Sequence, residues 1–207
     1  MPINLSIIIP HFNISDMLET LLASIPPNKE IQIIVVDDKS DLSHLKKIDQ
    51  LKNKYNFEFY QNNKIKSAGS SRNFGLKKAL GKWILFADSD DYFLDEFYIL
   101  VSRYFDSEND VIFFCPTSVL NDTGKIADRH LHYKNIIEMN LLNKSKKNEL
   151  FLRYKFSTSC SKIIKKKFIQ KYRLNFDEVL YGNDVMFNAK LGHFMQNFEV
   201  SSDVIYC

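Results

Sequence analysis

What these 207 residues lack narrows the field before anything they contain. There are only three cysteines, Cys115, Cys160 and Cys207, so any disulfide scheme leaves one unpaired, and Cys115 sits inside an apolar run. That excludes a disulfide-stapled secreted scaffold and leads us to expect reduced thiols in a cytoplasmic setting. No basic segment precedes the first apolar run, which stops at Pro10, too short for a signal peptide or a membrane span. No internal repeat, low-complexity linker or clean domain boundary is present. Acidic residues are scarce between Lys134 and Arg173, where twelve Lys and Arg stand against two Glu. Because the formal net charge is only +3, the rest of the chain is net acidic. A basic stretch of this kind suits either a peripheral contact with anionic membrane or a phosphorylated partner, or else is a lysine-rich solvated face. It carries no recognition motif, so no nucleic acid is expected as a partner.

What is present is enough for one packed domain: hydrophobic residues make up 45% of the chain. The first half alternates strand and helix. Leu5–Ile9, Ile31–Val36, Phe57–Tyr60, Trp83–Ala87 and Val111–Cys115 read as strands. Helical spacing recurs after Ser15, from Leu42 to Leu51, from Ser70 to Leu80 and from Leu94 to Phe105. Several strands are nearly unbroken Ile, Val, Leu and Phe, the pattern of strands covered on both faces. The expectation is therefore an α/β fold, a mostly parallel central sheet flanked by helices. Beyond Cys115 the alternation fades. Asn121-Asp122-Thr123-Gly124 reads as a hairpin turn, a lysine-rich helical stretch follows, and Lys162–Tyr172 and Asp184–Leu191 read as helices.

In open α/β sheets ligands bind beyond the carboxyl ends of the strands, which gives the acids their meaning. Asp88-Ser89-Asp90-Asp91 puts three carboxylates into four residues directly after Trp83–Ala87. Such crowding needs a cation or hydrogen-bond donors to offset it, and oxygen-only ligands suit Mg²⁺ or Mn²⁺ shared with a phosphate. The competing reading is a solvated turn capping the helix from Leu94. Asp37-Asp38, at another strand end, can accept hydrogen bonds from a ribose or base edge. Ala68-Gly69-Ser70-Ser71-Arg72-Asn73-Phe74-Gly75 opens a helix with small residues and a guanidinium. It is suited to a diphosphate, although its spacing is neither a P-loop nor a dinucleotide fingerprint, and a plain glycine turn remains open. Asp184, after Gly182-Asn183, is either a helix cap or a general base. His130 and His132, two apart, read as part of an exposed hairpin, and His44 and His193 as helix-surface residues.

Taken in order, Leu5-Ser6-Ile7-Ile8-Ile9-Pro10, Val35-Val36-Asp37-Asp38-Lys39-Ser40, the Arg72-Asn73-Phe74-Gly75 helix start, Asp88-Ser89-Asp90-Asp91 and Gly182-Asn183-Asp184 resemble a family-2 inverting glycosyltransferase of the GT-A fold, of the bacterial surface-polysaccharide type. Cys160-Ser161-Lys162-Ile163-Ile164 through Phe168, with Phe176-Asp177, is similar to the stretch preceding the acid motif in bacterial members. The resemblance implies a metal-dependent transfer of a sugar from a nucleoside-diphosphate sugar, UDP-linked, to a hydroxyl of a glycan or lipid-linked acceptor at the cytoplasmic membrane face. It implies roles by position. Pro10 lines the base pocket and Asp38 contacts base or ribose. Arg72 holds the nucleotide, Asp88 touches the ribose, Asp90 binds Mn²⁺ or Mg²⁺, and Asp184 is the base. It also implies a nucleotide-sugar-binding half, 1–115, and an acceptor-side half, 116–207, in a single domain. Many relatives continue into membrane-associating helices, so a C-terminally truncated domain is expected. Two departures stand out: Asn183 replaces the usual Glu, and His11-Phe12 replaces a variable-Tyr pair. The alternatives from other classes are a nucleotide-sugar-binding module that does not transfer and a receiver domain phosphorylated on aspartate. The receiver domain requires a lysine where Pro116-Thr117 stands.

Overall fold

A computed structural model describes residues 2–63 and 67–207. The strands of the first half form where the apolar runs predict: β1 (Leu5–His11), β2 (Ile31–Asp37), β3 (Glu58–Gln61), β4 (Trp83–Phe86) and β5 (Val111–Pro116). Between them lie α1 (Ser15–Ala23), α2 (Leu42–Leu51), α3 (Ala68–Lys78) and α4 (Phe97–Ser102). The second half adds α5 (Leu131–Leu142), α6 (Lys146–Lys155), β6 (Lys162–Lys165), α7 (Lys166–Lys171), α8 (Val185–Phe194) and β7 (Phe198–Tyr206).

The seven strands form one sheet in the order β3-β2-β1-β4-β6-β5-β7. β1 pairs in parallel with β2 and β4, β2 with β3, and β5 with β7. Only β6 runs antiparallel to its neighbours, β4 and β5. The unbroken apolar runs are explained by layers on both sides. Along β1 and β4, Leu5, Ile7, Ile9, Trp83 and Leu85 face the cluster under α1, α2 and α4, whereas Ile8, Ile84 and Phe86 face the cluster with Ile136, Leu152, Phe176 and Phe187.

Several expectations change. Lys162–Tyr172 is not one helix but β6 followed by α7. Ile163 and Ile164 are adjacent and both fully buried, one on each face of the sheet, and that doublet imitates helical spacing when read without the sheet. β7, unforeseen, has a mixed polar sequence and register shifts against β5, which hide the period-2 signal. His130 is buried rather than on an exposed hairpin: it precedes α5, its ring lies 2.7 Å from Ser118 Oγ, and His132 is in the helix. The turn at Asn121–Gly124 is present, with Val119 bridged to Ile126 and Gly124 at φ +66°. The helix from Leu94 is shorter than expected, Phe97–Ser102.

Candidate active site

Because β1, β2 and β4 are parallel, their carboxyl ends meet on one rim. A cleft of about 420 Å³ opens there, lined among others by Pro10, Phe12, Asp38, Arg72, Asp88 and Asp90. Five of the six site residues expected from the sequence therefore converge. Ser89 locks two of the loops together by donating from Oγ to the carbonyl of Pro10 at 2.6 Å. The two carboxylates at the end of β2 part company. Asp37 turns inward, fully buried, against His11 Nδ1 at 3.0 Å and the backbone N–H of Ser40. Burial pushes its pKa up, but the hydrogen bonds from His11 and Ser40 outweigh that and hold it below the usual value. Asp38 turns to the cleft and accepts from Asn62 Nδ2 at 2.9 Å.

Arg72 is the hub. It is buried in α3, whose first turn is capped by Ser67 Oγ accepting from the N–H of Ser70. One guanidinium nitrogen donates to Asn183 Oδ1 at 2.8 Å, the other to Asp88 Oδ1 at 2.5 Å, with Phe176 stacked at 5.3 Å. Burial opposes its charge, but the Asp88 carboxylate beside it prevails and its pKa lies above the usual value. The helix start approaches the second half closely at Gly69, where a Cβ would stand 2.2 Å from the carbonyl of Asp177 and 3.0 Å from Asn183 Cβ, so only glycine fits. Asn73 completes the junction. It donates to the carbonyl of Phe176 at 2.9 Å and accepts from the Phe176 N–H at 2.8 Å.

The acids after β4 divide their work. Asp91 is largely buried and accepts from the Tyr206 hydroxyl at 2.8 Å. Burial first, and then the neighbouring Asp88 and Asp90, push it up to about 7 despite that bond. The same Tyr206 oxygen accepts from the Asp88 N–H at 2.8 Å. Behind them Cys160 is fully buried, its thiol pushed well above the usual range by burial. Ligand atoms of Asp88, Asp91 and Cys160 lie within 4.8 Å of one another, but Arg72 and Tyr206 already occupy the two carboxylates. Asp90 differs. It is exposed in the cleft and, among the described residues, makes no hydrogen bond or ion pair. A free carboxylate in an oxygen-rich loop, with its neighbours otherwise committed, fits a hard divalent cation. The cluster does not cap α4, which begins at Phe97 with no side-chain cap.

Asp184 sits at the start of α8, one residue beyond the Asn183 that Arg72 grips. Its carboxylate makes no capping bond, and among the described residues it has no hydrogen-bond partner. The neighbouring segment reaches the cleft through Leu180. Ser89, Asn62, Ser67 and Tyr206 are site residues that the sequence reading missed. Ser89 and Ser67 sit inside or beside motifs already singled out, whereas Tyr206 carries no local signal, being brought in by β7.

The family model described as "Glycosyl transferase family 2" matches residues 6–173. The poly(ribitol-phosphate) beta-N-acetylglucosaminyltransferase TarS of Staphylococcus aureus is 27% identical over 207 residues, 97% of this chain and 34% of that protein. A poly(ribitol-phosphate) beta-glucosyltransferase of Bacillus spizizenii is 40% identical over 94 residues, 42% of this chain and 15% of its own length. The chain thus spans about a third or less of these relatives. Among solved structures, S. aureus TarS in complex with UDP-GlcNAc superposes with a TM-score of 0.76 at 24% identity, over 98% of this chain and 57% of that one. It shares the fold.

Proposed function

This chain belongs to glycosyl transferase family 2, and from that premise we propose that it transfers a sugar, with inversion, from a UDP-sugar to a hydroxyl of a glycan or polyol-phosphate acceptor. The observation that carries the reading is the single rim on which Asp38, Arg72 and Asp90 line one cleft, while the guanidinium of Arg72 reaches across to the residue preceding Asp184. TarS supports the choice of uridine and supplies that of a polyol phosphate, both taken from what that relative binds or is named for.

In this reading Pro10 and Asp38 hold the base and ribose, with Asp88 beside the ribose. Arg72, its charge preserved by Asp88, faces the diphosphate. Asp90 would hold Mn²⁺ or Mg²⁺, which when bound offsets the negative charge that builds on the departing diphosphate. Asp184, whose carboxylate makes no hydrogen bond among the described residues, takes the proton of the acceptor hydroxyl as its oxygen attacks the anomeric carbon from the face opposite the leaving group. The reacting sugar passes through an oxocarbenium-like state, as in other glycosyl chemistry. Residues 1–115 supply the donor contacts and 116–207 the base and the acceptor side. Asn183, standing where the family resemblance implies a Glu, uses its oxygen to accept from Arg72 and leaves Asp184 unencumbered, which favours transfer over a binding-only role. The basic stretch from Lys134 to Arg173, with most of its charge on α6, α7 and the residues beside them, supplies the charge for peripheral contact with anionic membrane; no helix among the described residues is long and apolar enough to cross one.

The test is UDP release from UDP-GlcNAc and UDP-glucose with poly(ribitol phosphate) as acceptor, comparing the native chain with Asp90→Ala and Asp184→Ala. Loss in both variants is expected. Undiminished turnover in either removes that residue from its role.

A further inference from the structure

A lysine lies beneath the proposed base that the chemistry above leaves unused. Lys162 opens β6 and is fully buried. Its ammonium sits over the rings of Phe113 and Phe156, at 5.3 and 5.0 Å, and donates to the Phe156 carbonyl at 3.2 Å and to Asn188 Oδ1 at 2.8 Å. No carboxylate pairs with it among the described residues; the titratable groups acting on it are the Cys160 thiol, from the segment entering β6, and Asp184, from the start of α8. Burying an ammonium without a counter-ion is expensive, and a methionine would fill the same space without that penalty.

What the lysine provides is visible in Asn188. Because Lys162 donates to its oxygen, the Asn188 amide nitrogen must face the other way. It donates there to the carbonyls of Asp184 at 2.9 Å and Ser157 at 2.6 Å and to Ser159 Oγ at 3.2 Å. The flipped amide would set NH₂ against NH₃⁺ and leave two carbonyls facing an oxygen. One buried donor thus sets the direction of an amide that ties the first turn of α8 to the loop before β6. Asp184 has no capping bond of its own, so its backbone is held from one side by Asn188 and from the other by Arg72 acting on Asn183.

We propose that Lys162 is a positioning residue for the base, acting through Asn188 to fix Asp184. The inference rests on Asp184 being that base. The experiment measures UDP release from UDP-GlcNAc and UDP-glucose, with poly(ribitol phosphate) as acceptor and Mn²⁺ present, beside UDP affinity by calorimetry. In Lys162→Met, kcat is expected to fall roughly 10- to 100-fold, with donor KM and UDP affinity within about twofold of the native values, as misplacement of one catalytic group predicts. Lys162→Gln keeps a donor toward Asn188 and recovers part of kcat. Lys162→Met adds nothing to Asn188→Leu when the two are combined, because both cut one chain of contacts. A Lys162→Met protein with native kcat overturns the proposal, as does one that loses UDP affinity in step with kcat, since that marks general disruption. Should Lys162→Met fail to fold, Lys162→Gln decides: a kcat below native with UDP affinity kept supports the positioning role, whereas native kcat, or a fall in kcat matched by UDP affinity, opposes it. The broader reading fails separately, in the native protein and Asp184→Asn: no turnover, or equal turnover in the two, removes the base and this inference with it.

Discussion

The two halves of the sheet carry their share of the site in different ways. On the β1, β2 and β4 side, Pro10, Asp38, Asp88 and Asp90 lie at or just past the ends of their strands, and the parallel register brings those ends together, with Arg72 added from α3. On the other side nothing is local. Asn183 meets Arg72 across 111 positions, Phe176 meets Asn73 across 103, and Tyr206 reaches Asp88 across 118. In the proposed function the first half is a binding rim written in short motifs. The second is a support whose effect passes through buried polar contacts, so substitutions in the two halves should fail in different ways.

The sharpest test of that contrast sets Asp184 against Asp90. Asp184→Asn is expected to lower kcat by roughly 10²–10⁴-fold with UDP affinity unchanged, the signature of a lost general base. Asp90→Ala is expected to lower kcat by about 10²–10³-fold and also to abolish the gain in UDP affinity that Mn²⁺ confers, read by calorimetry with and without the ion. If both variants lose nucleotide affinity equally, the division between the halves is wrong.

Much of the first half was legible in sequence for a physical reason. A strand buried on both faces must be apolar throughout, so its ends are marked by the first polar residues, and those ends line the cleft. Asp38, Asp88 and Asp90 could be found that way, and Arg72 by the small residues that open its helix. β6 could not, because adjacent Ile163 and Ile164 serve opposite faces of a sheet and resemble a helix stripe when the sheet is unknown. Tyr206 and Asn188 lay beyond reach for a second reason. Tyr206 depends on a partner 118 residues away and Asn188 on Lys162 and Ser157, 26 and 31 away, and no local pattern encodes a hydrogen bond of that span. The split between inward Asp37 and cleft-facing Asp38 follows from strand alternation, yet which of the two faced the cleft depended on the buried His11.

Arg72 joins the two regions, so its loss should show both failures at once. Arg72→Ala leaves Asn183 Oδ1 without its donor and Asp88 without its cation. Activity is expected to fall about 100-fold. Stability should drop by about 1–3 kcal/mol in urea unfolding, kept modest because the Asp88 side chain is 41% exposed and water can replace part of the partnership. Arg72→Lys should retain charge but lose one of the two bonds, and with it most of the activity. A smaller and purely local effect is expected at Asp38. Asp38→Ala should raise the donor KM about tenfold with kcat within a factor of two, because its contact is made equally before and during transfer. A fall in kcat there would mean that the rim does more than bind.

The last expected effect separates support from rim most cleanly, since it is read from stability alone and needs no substrate. Burial pushes Lys162 down to about 7 from its usual 10.5, only partly countered by Cys160 and Asp184. Between those two values the unfolded chain holds a proton on this lysine that the folded chain does not. Stability therefore rises as pH increases from about 7 toward 10, and the full burden of the buried charge is felt below 7. Lys162→Met removes that dependence. It also leaves Asn188 Oδ1 and the Phe156 carbonyl without their donor, a loss of about 1–3 kcal/mol that opposes the relief from burying a charge. The two contributions differ in one respect: the lost hydrogen bonds do not vary with pH across this range, and the charge does. Native protein minus Lys162→Met, followed by urea unfolding from pH 6.5 to 10, should therefore show a difference in stability that shifts steadily in favour of the native protein as pH rises. A difference that stays flat would mean that Lys162 titrates outside this window, and that the support beneath Asp184 keeps one charge state throughout.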